Sequence, residues 1–220
     1  MTFLDSPPTR LGLVCLARLT FEAPLAEHWY AQTRFQFRQL AGLGLCAIDK
    51  LVIETPDADA AIAELRDKNI DALVILSGTF ALGGLAMQFA QAFPHLPLLL
   101  WAWQEPLEQT GKLRLNSLVG ANTNGSNLYK LGHSPTTLYT AHDDPSAVES
   151  IARFAQVAGI LRDLKQLRIA SIGGHAPGFD DLAVNKLALR RATGVEVSEV
   201  GLQTLVARAK AISLQRSSSR

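Results

Sequence analysis

One long stretch of the sequence carries no formal charge, and it limits what the chain can fold into. No Asp, Glu, Lys or Arg occurs between Ala72 and Gln104. A membrane span is one interpretation, but Pro94 and Pro97 interrupt the stretch, and its serine, threonine and glutamine side chains are costly in lipid. The stretch therefore indicates a buried strand, a buried helix and a second buried strand, which is the interior of an α/β protein.

Strand and helix patterns alternate along the first part of the chain. Short apolar runs predict strands, and longer segments rich in helix formers predict the helices between them. The predicted strands are residues 11–16, 51–54, 71–76, 97–101, 115–119 and 137–141. The predicted helices are residues 25–40, 58–68, 80–93, 127–131 and 147–164. This alternation predicts a flavodoxin-like, doubly wound parallel sheet with helices on both faces.

A second α/β unit is predicted after residue 165. Its predicted strands are residues 167–172 and 195–200, and its predicted helices are residues 180–193 and 201–214. We therefore expect an N-terminal α/β domain at 1–165, an incomplete second domain at 166–214 and a polar tail at 215–220. Two parallel strands do not cover their own apolar faces. The chain is accordingly expected to be a truncated or frameshifted fragment.

Charge and cysteine content exclude several classes of protein. The net charge of +1 argues against nucleic acid and anionic membranes as partners. Cys15 and Cys46 both lie in apolar surroundings, which indicates buried free thiols rather than a disulfide. The first ten residues contain an acid and two prolines, unlike a signal peptide. We expect a cytoplasmic protein.

Three short motifs invite a chemical interpretation but are better explained locally. The glycine-rich loop at 173–178 has the order GGHAPG, which is not the phosphate-binding pattern and includes a proline without an amide. His175 with the acids at 180–181, and His142 with those at 143–144, resemble metal ligands. Each acid pair precedes a predicted helix, however, where carboxylates cap helix ends. No metal site is predicted.

The segment Ser77-Gly78-Thr79 follows a predicted strand. It lacks the G-x-S-x-G pattern of serine hydrolases. Its hydroxyl groups are suited either to hydrogen-bonding a polar ligand or to capping the next helix. Both interpretations remain open on sequence grounds.

Polar residues at the predicted strand ends suggest where a ligand would bind. In a doubly wound sheet ligands meet the loops at the carboxyl ends of strands, here residues 17–22, 77–79 and 103–109. Trp103 beside Glu105 suits a sugar, because an indole packs on the ring and a carboxylate binds hydroxyls. An ordinary solvated loop explains the pair equally well. Further neutral polar groups follow at Asn116, Asn122, Asn124 and Asn127.

Four blocks of sequence, in order and spacing, carry a family resemblance. They are LVILSGTFALGGLA, PLLLWAWQEPLEQTGKLRLNSLVGAN, NLYKLG and RIASIGGHAPGFDD. Together they resemble the N-terminal half of L-fucose isomerase-like proteins, a group related to the L-arabinose isomerases. The resemblance covers roughly residues 11–205.

The resemblance implies a cytoplasmic, homo-oligomeric aldose–ketose isomerase that uses a divalent metal, typically manganese. The family's metal ligands and catalytic acids lie in its C-terminal half, so we assign none of them to this chain. The family's N-terminal domain helps to close the sugar pocket, often that of a neighbouring subunit. The implied sugar-binding residues are Thr79, Trp103, Glu105, Asn116 and Asn122.

The sequence therefore suggests two alternative functions. The first is the N-terminal part of a metal-dependent sugar isomerase that is inactive by itself. The second is a non-catalytic sugar-binding or regulatory α/β module, which would bind sugar without a metal.

Overall fold

A computed structural model describes residues 7–106 and 113–212, and strands and helices alternate throughout them. The strands are β1 (Thr9–Leu16), β2 (Leu43–Ala47), β3 (Ala72–Ser77), β4 (Leu98–Trp103), β5 (Thr136–Thr140), β6 (Arg168–Ile172) and β7 (Glu196–Val200). The helices are α1 (Ala23–Arg38), α2 (Thr55–Asp67), α3 (Gly83–Ala92), α4 (Ser117–Lys130), α5 (Pro145–Gln166), α6 (Lys186–Thr193) and α7 (Leu202–Ala211).

The first five strands form one parallel sheet in the order β2-β1-β3-β4-β5. This is the flavodoxin-like strand order, so the predicted fold class is confirmed. In the register of the sheet, Leu13 of β1 lies opposite Ala47 of β2 and Val74 of β3. The order of strands reverses between β1 and β3, and that reversal is the point where folds of this type bind ligands.

Helices cover both faces of the sheet. Leu65 of α2, Phe89 of α3 and Leu128 of α4 pack on one face, while Tyr30 of α1 and Ile151 of α5 pack on the other. The strands β1, β3 and β4 are buried on both faces, apart from Arg10 of β1. The burial explains why these strands read as continuous apolar runs in the sequence.

Strand β2 lies earlier than predicted. The predicted strand at 51–54 is wrong, because only Val52 from that segment pairs, through a single bridge to Leu16. Gly42, with φ of 76°, turns the chain in the short connection after α1, and β2 begins at the next residue. Gly44 lies within β2, where an added Cβ would make an ordinary van der Waals contact with Arg10 Cγ at 3.5 Å. Gly42 and Gly44 therefore belong to the entry of β2 and to the strand itself.

The predicted strand at 115–119 is also wrong. The helix α4 covers residues 117–130. It therefore includes most of that segment and most of the predicted helical turn at 127–131. Strand β4 continues to Trp103, two residues beyond its predicted end. The asparagines of this region lie mostly in a helix rather than in loops. Asparagine has a low helix propensity, so tertiary packing overrides local preference here.

The two cysteines are free thiols, as predicted, although only Cys15 is buried and Cys46 is partly exposed. Burial raises the pKa of the Cys15 thiol far above its usual range, so it is inert at neutral pH. No helix in the described part of the chain is both long and apolar enough to cross a membrane.

A second compact unit comprises residues 160–220, and the first comprises residues 1–159. The strands β6 and β7 form a separate two-stranded parallel sheet. Val195 is the one buried side chain among the described residues of this unit. The contact boundary falls inside α5, a few residues before the predicted one at 165. The predicted polar tail lies outside the described residues.

Gly78, directly after β3, offers a test of this packing. A Cβ at Gly78 would lie 2.5 Å from Cys15 Sγ and 3.4 Å from the carbonyl oxygen of Leu16. We expect Gly78→Ala to lower the free energy of unfolding by about 1–3 kcal/mol, because a packed core resists added volume. Chemical denaturation measures the change.

Gly84 in α3 provides the matched control, because an added Cβ there meets nothing within 4 Å. Gly84→Ala should leave the protein as stable or raise its stability by up to about 1 kcal/mol, since alanine favours a helix. Equal effects of the two substitutions would contradict the packing described here.

Candidate functional site

The loops at the carboxyl ends of β1 and β3 are tied together by Thr79. Its hydroxyl accepts a hydrogen bond of 2.7 Å from the backbone N–H of Arg18 and lies 3.4 Å from the carbonyl oxygen of the same residue. Gly78 donates from its backbone to Leu16, at 2.9 Å. Thr79 is fully buried. It therefore holds the backbone of Arg18 at the reversal of strand order, rather than offering a free hydroxyl to a ligand.

Arg18 itself is exposed at this point of the fold. Its guanidinium makes no ion pair with any residue in the described parts of the chain. An arginine whose backbone is fixed and whose side chain is free suits the binding of an anion, because the planar guanidinium donates two parallel hydrogen bonds. The loop at 17–22 was among the predicted ligand loops, but Arg18 was not singled out.

Glu105 binds the chain segment that leads into α4. Its carboxylate accepts hydrogen bonds from the backbone N–H groups of Arg114, Leu115 at 2.8 Å and Asn116 at 2.9 Å. A carboxylate has about four acceptor positions, and three are used here. The side chain is half-buried. Glu105 therefore closes the loop between β4 and α4, a structural role that the sequence did not indicate.

An ion pair joins this segment to the loop after β1. The Arg114 guanidinium donates from Nε and Nη2 to the two carboxylate oxygens of Glu22, at 2.7 and 2.6 Å. The backbone N–H of Glu22 also donates to the carbonyl oxygen of Arg114, at 3.0 Å. The hydrogen bond from Arg114 holds the pKa of Glu22 below its usual range. We call this pair the Glu22–Arg114 clasp.

The clasp lies beside the loop after β3, because Phe80 donates its backbone N–H to the carbonyl oxygen of Leu115 at 2.8 Å. The rings of Phe21 and Phe80 are 6.0 Å apart. Loops after β1, β3 and β4 are thus joined into one continuous edge of the sheet. We call this edge the rim, defined by residues 18–22, 79–82 and 113–116.

Trp103 does not belong to the exposed rim. The expectation that its indole is available to stack on a sugar is wrong, because the side chain is 0% exposed. The ring packs edge-to-face on Trp29 and Trp101, with centroids 5.6 and 6.0 Å away. Two additional residues of β4 carry Trp103 into the sheet and under the helices of the α1 and α5 face.

The two predicted asparagines occupy different environments. Asn116 is the residue before α4 and has a left-handed backbone, with φ of 54°, a conformation that asparagine adopts more readily than most residues. Its backbone binds Glu105, so it lies on the rim. Asn122 is exposed within α4. The structure therefore brings Thr79, Glu105 and Asn116 to one edge, while Trp103 is internal and Asn122 lies along the helix.

A buried polar cluster anchors α4 beneath the rim. The Ser117 hydroxyl donates to the carbonyl oxygen of Ser77 and accepts a 2.9 Å hydrogen bond from the backbone N–H of Trp103. The Asn124 amide lies 3.5 Å from the Ser77 hydroxyl. Neither Ser77 nor Thr79 caps α3, which begins after Leu82 without a side-chain cap. The capping interpretation of 77–79 is therefore wrong.

The residues of this chain do not assemble a metal centre within residues 7–106 and 113–212, where no three His, Cys, Asp or Glu side chains come together. Asp144 accepts a hydrogen bond from the backbone N–H of Ser146, at 2.8 Å, which confirms helix capping at the start of α5. Asp180 and Asp181 lie in a short 3-10 turn without a side-chain cap. Residues 107–109 of the third predicted ligand loop lie outside the described residues.

Comparison with known proteins identifies the family. Residues 12–165 match the family described as the fucose/sulfoquinovose isomerase N-terminal domain. The chain belongs to this family. The match covers nearly all of the five-stranded sheet and its helices, and it includes every residue of the rim.

Curated relatives of the chain carry the name sulfoquinovose isomerase. The protein from Priestia aryabhattai is 28% identical over 195 residues, which are 89% of this chain and 43% of the relative. The protein from Alkalicoccus urumqiensis is 31% identical over 167 residues, which are 76% of this chain and 37% of the relative. The chain thus spans less than half the length of the curated relatives that it matches.

The hydrogen bonds of Glu105 predict a measurable effect on stability. We expect Glu105→Ala to lower the free energy of unfolding by about 2 kcal/mol, because three backbone N–H groups lose a charged acceptor. Glu105→Gln, which keeps one acceptor oxygen, should fall between Glu105→Ala and the wild type. Thermal or chemical denaturation measures both changes.

Glu27→Ala serves as the control, since Glu27 is an exposed acid on α1. Its effect should remain within about 0.5 kcal/mol of wild type. If Glu105→Ala were as mild as Glu27→Ala, the loop after β4 would not depend on this carboxylate.

Proposed function

We propose that this chain is the N-terminal part of an aldose–ketose isomerase that acts on a sulfonated sugar. The family match over residues 12–165 supports an isomerase domain. The curated relatives named sulfoquinovose isomerase support a sulfonated substrate. As the family resemblance implies, we also propose that the protein works in the cytoplasm as a homo-oligomer.

The observation that carries the proposal is the free guanidinium of Arg18 on the rim. A sulfonate is a singly charged group with three acceptor oxygens, and a guanidinium is well matched to two of them. The neighbouring Arg114 is engaged by Glu22, so it is the less available cation of the two. Arg18 is therefore proposed to bind the sulfonate, while its backbone is held in place by Thr79.

The remaining predicted sugar-binding residues take different parts in this proposal. Asn116 lies on the rim beside Glu105, so its amide is a proposed partner for sugar hydroxyls. Glu105 and Thr79 are proposed to position the backbone of Asn116 and of Arg18, respectively, rather than to contact the sugar. Asn122 stays a prediction from the family resemblance alone, and Trp103, whose indole is buried, is not proposed as a sugar-binding residue.

The proposed divalent metal, typically manganese in the family, has no matching ligand set in the described residues. No step of the reaction is therefore assigned to a metal held by these residues. We propose that the metal ligands and the catalytic acids lie in the part of the longer relatives that this chain does not match. The chain alone is then expected to bind the sugar without isomerising it.

The free guanidinium of Arg18 also suits a second function, a non-catalytic sugar-binding or regulatory module. Both functions expect the chain alone to lack isomerase activity. Incubation of the chain with sulfoquinovose and manganese, followed by detection of the ketose product, tests this expectation. Both functions predict no product. Turnover by the 220-residue chain would contradict both, because it would require a catalytic centre within this sequence.

Substitution of Arg18 tests the proposed binding mode. We expect Arg18→Ala to weaken the binding of sulfoquinovose by roughly 10- to 100-fold, because a charge-assisted hydrogen bond contributes about 1.5–3 kcal/mol. The binding of glucose, which has no sulfonate, should change far less. Titration calorimetry measures both affinities.

Arg66→Ala removes the same charge from an exposed position in the last turn of α2, at the opposite end of the sheet. Its affinity for sulfoquinovose should equal that of the wild type. Equal losses in the two variants would point to a general charge effect, and no loss in Arg18→Ala would remove Arg18 from the proposed site.

A further inference from the structure

Three hydrogen-bonded links join the loops of the rim into a closed ring. The Thr79 hydroxyl accepts from the backbone N–H of Arg18 at 2.7 Å, which links the loops after β1 and β3. Phe80 donates its backbone N–H at 2.8 Å to the segment before α4. The Glu22–Arg114 clasp is the third link, and it connects that segment back to the loop after β1. The ring therefore fixes the spacing of the three loops.

The clasp is the one of these links in which two charged side chains meet. The Arg114 guanidinium donates to both carboxylate oxygens of Glu22, at 2.7 and 2.6 Å, and a backbone hydrogen bond of 3.0 Å runs beside them. Paired hydrogen bonds of this kind fix the orientation of two groups as well as their distance. The Glu22 side chain is 48% exposed, and an exposed ion pair adds little to stability. The main contribution of the clasp is therefore geometric.

Each half of the clasp adjoins one of the two proposed ligand-binding groups. Arg18, the proposed partner of the sulfonate, lies four residues before Glu22, and a turn over residues 18–21 connects them through a 3.2 Å backbone hydrogen bond. Asn116, the proposed partner of sugar hydroxyls, lies two residues after Arg114. Three hydrogen bonds to one carboxylate hold the backbone between these two residues. A change in the clasp is thus transmitted to both groups.

We propose that Glu22 and Arg114 are positioning residues that set the spacing between the sulfonate site at Arg18 and the hydroxyl site at Asn116. This inference rests on the proposed function, from which it takes both sites. A ligand that fills two sites held at one spacing gains affinity over either of its parts alone. The rim then selects molecules that carry a sulfonate and hydroxyls at that spacing, over small sulfonates and uncharged sugars.

A positioning role and a purely electrostatic role predict opposite results for Glu22→Ala. If charge alone mattered, loss of a carboxylate from the rim would strengthen the binding of an anion. We expect Glu22→Ala to weaken the binding of sulfoquinovose by about 10-fold, because the two sites are no longer held at one spacing. Binding of ethanesulfonate, which fills the sulfonate site alone, should be unchanged or up to about 3-fold tighter. Titration calorimetry measures the first affinity and NMR titration the second.

Two conservative variants and one control separate positioning from general damage. Glu22→Gln keeps one acceptor oxygen and should recover part of the affinity for sulfoquinovose. Arg114→Lys keeps the charge without the paired donors, so it should weaken the binding of sulfoquinovose but not of ethanesulfonate. Glu27→Ala removes an exposed acid outside the rim and should bind both ligands like the wild type. The thermal midpoint of Glu22→Ala should stay within about 2 °C of wild type.

The possible outcomes distinguish this inference from the proposed function. Equal or tighter binding of sulfoquinovose by Glu22→Ala would overturn the positioning role. Equal losses for sulfoquinovose and ethanesulfonate would also overturn it, because they would indicate damage to the sulfonate site itself. If Arg18→Ala weakens binding while Glu22→Ala does not, the proposed function stands and the clasp has no part in it. Failure of the wild-type chain to bind sulfoquinovose would instead contradict the proposed function, and this inference with it.

Discussion

Burial of β1, β3 and β4 on both faces is the constraint on which the first unit depends. A charged side chain inside such a sheet would need a buried partner, and the sequence avoids that cost by leaving 72–104 without charges. Polar chemistry is consequently confined to the ends of strands. The hydroxyl of Thr79, the carboxylate of Glu105 and the guanidinium of Arg18 all follow their strands directly, so topology brings them to one edge.

At that edge, side chains mostly bind backbone. Thr79 holds Arg18, Glu105 holds the segment 114–116, and the Glu22–Arg114 clasp joins two loops. Such an arrangement fixes a surface while leaving few side chains free to contact a ligand. Rigid support beneath a small number of free groups is what precise recognition requires. Arg18 is the exposed side chain at this edge on which the proposed anion binding rests.

The sequence predicted the sheet well because continuous apolar runs and helix formers alternate clearly. It failed at α4, where asparagines and a short apolar run resemble a loop and a strand. The Ser117 hydroxyl stabilises the helix there by donating one buried hydrogen bond and accepting another, and such bonds leave no periodic pattern in the sequence. It also failed for Trp103, because a two-residue extension of β4 moves that side chain from a loop into the core.

The role of Glu105 could not be predicted for a related reason. Its partners are backbone N–H groups nine to eleven residues away, and backbone groups are present at every position except proline. A carboxylate that binds backbone therefore looks the same in a sequence as one that binds a sugar. Arg18 was recoverable in principle, because it is the first charged residue after the buried strand β1.

The second unit has a consequence for how the chain behaves in a cell. Its two-stranded sheet leaves aliphatic side chains such as Ile169, Ile172 and Leu187 exposed to solvent. Surfaces of this kind attract chaperones and promote aggregation, and weakly packed segments are the first to be cleaved by proteases. We therefore expect cleavage and aggregation of this polypeptide to begin in its second unit rather than in the buried sheet of the first.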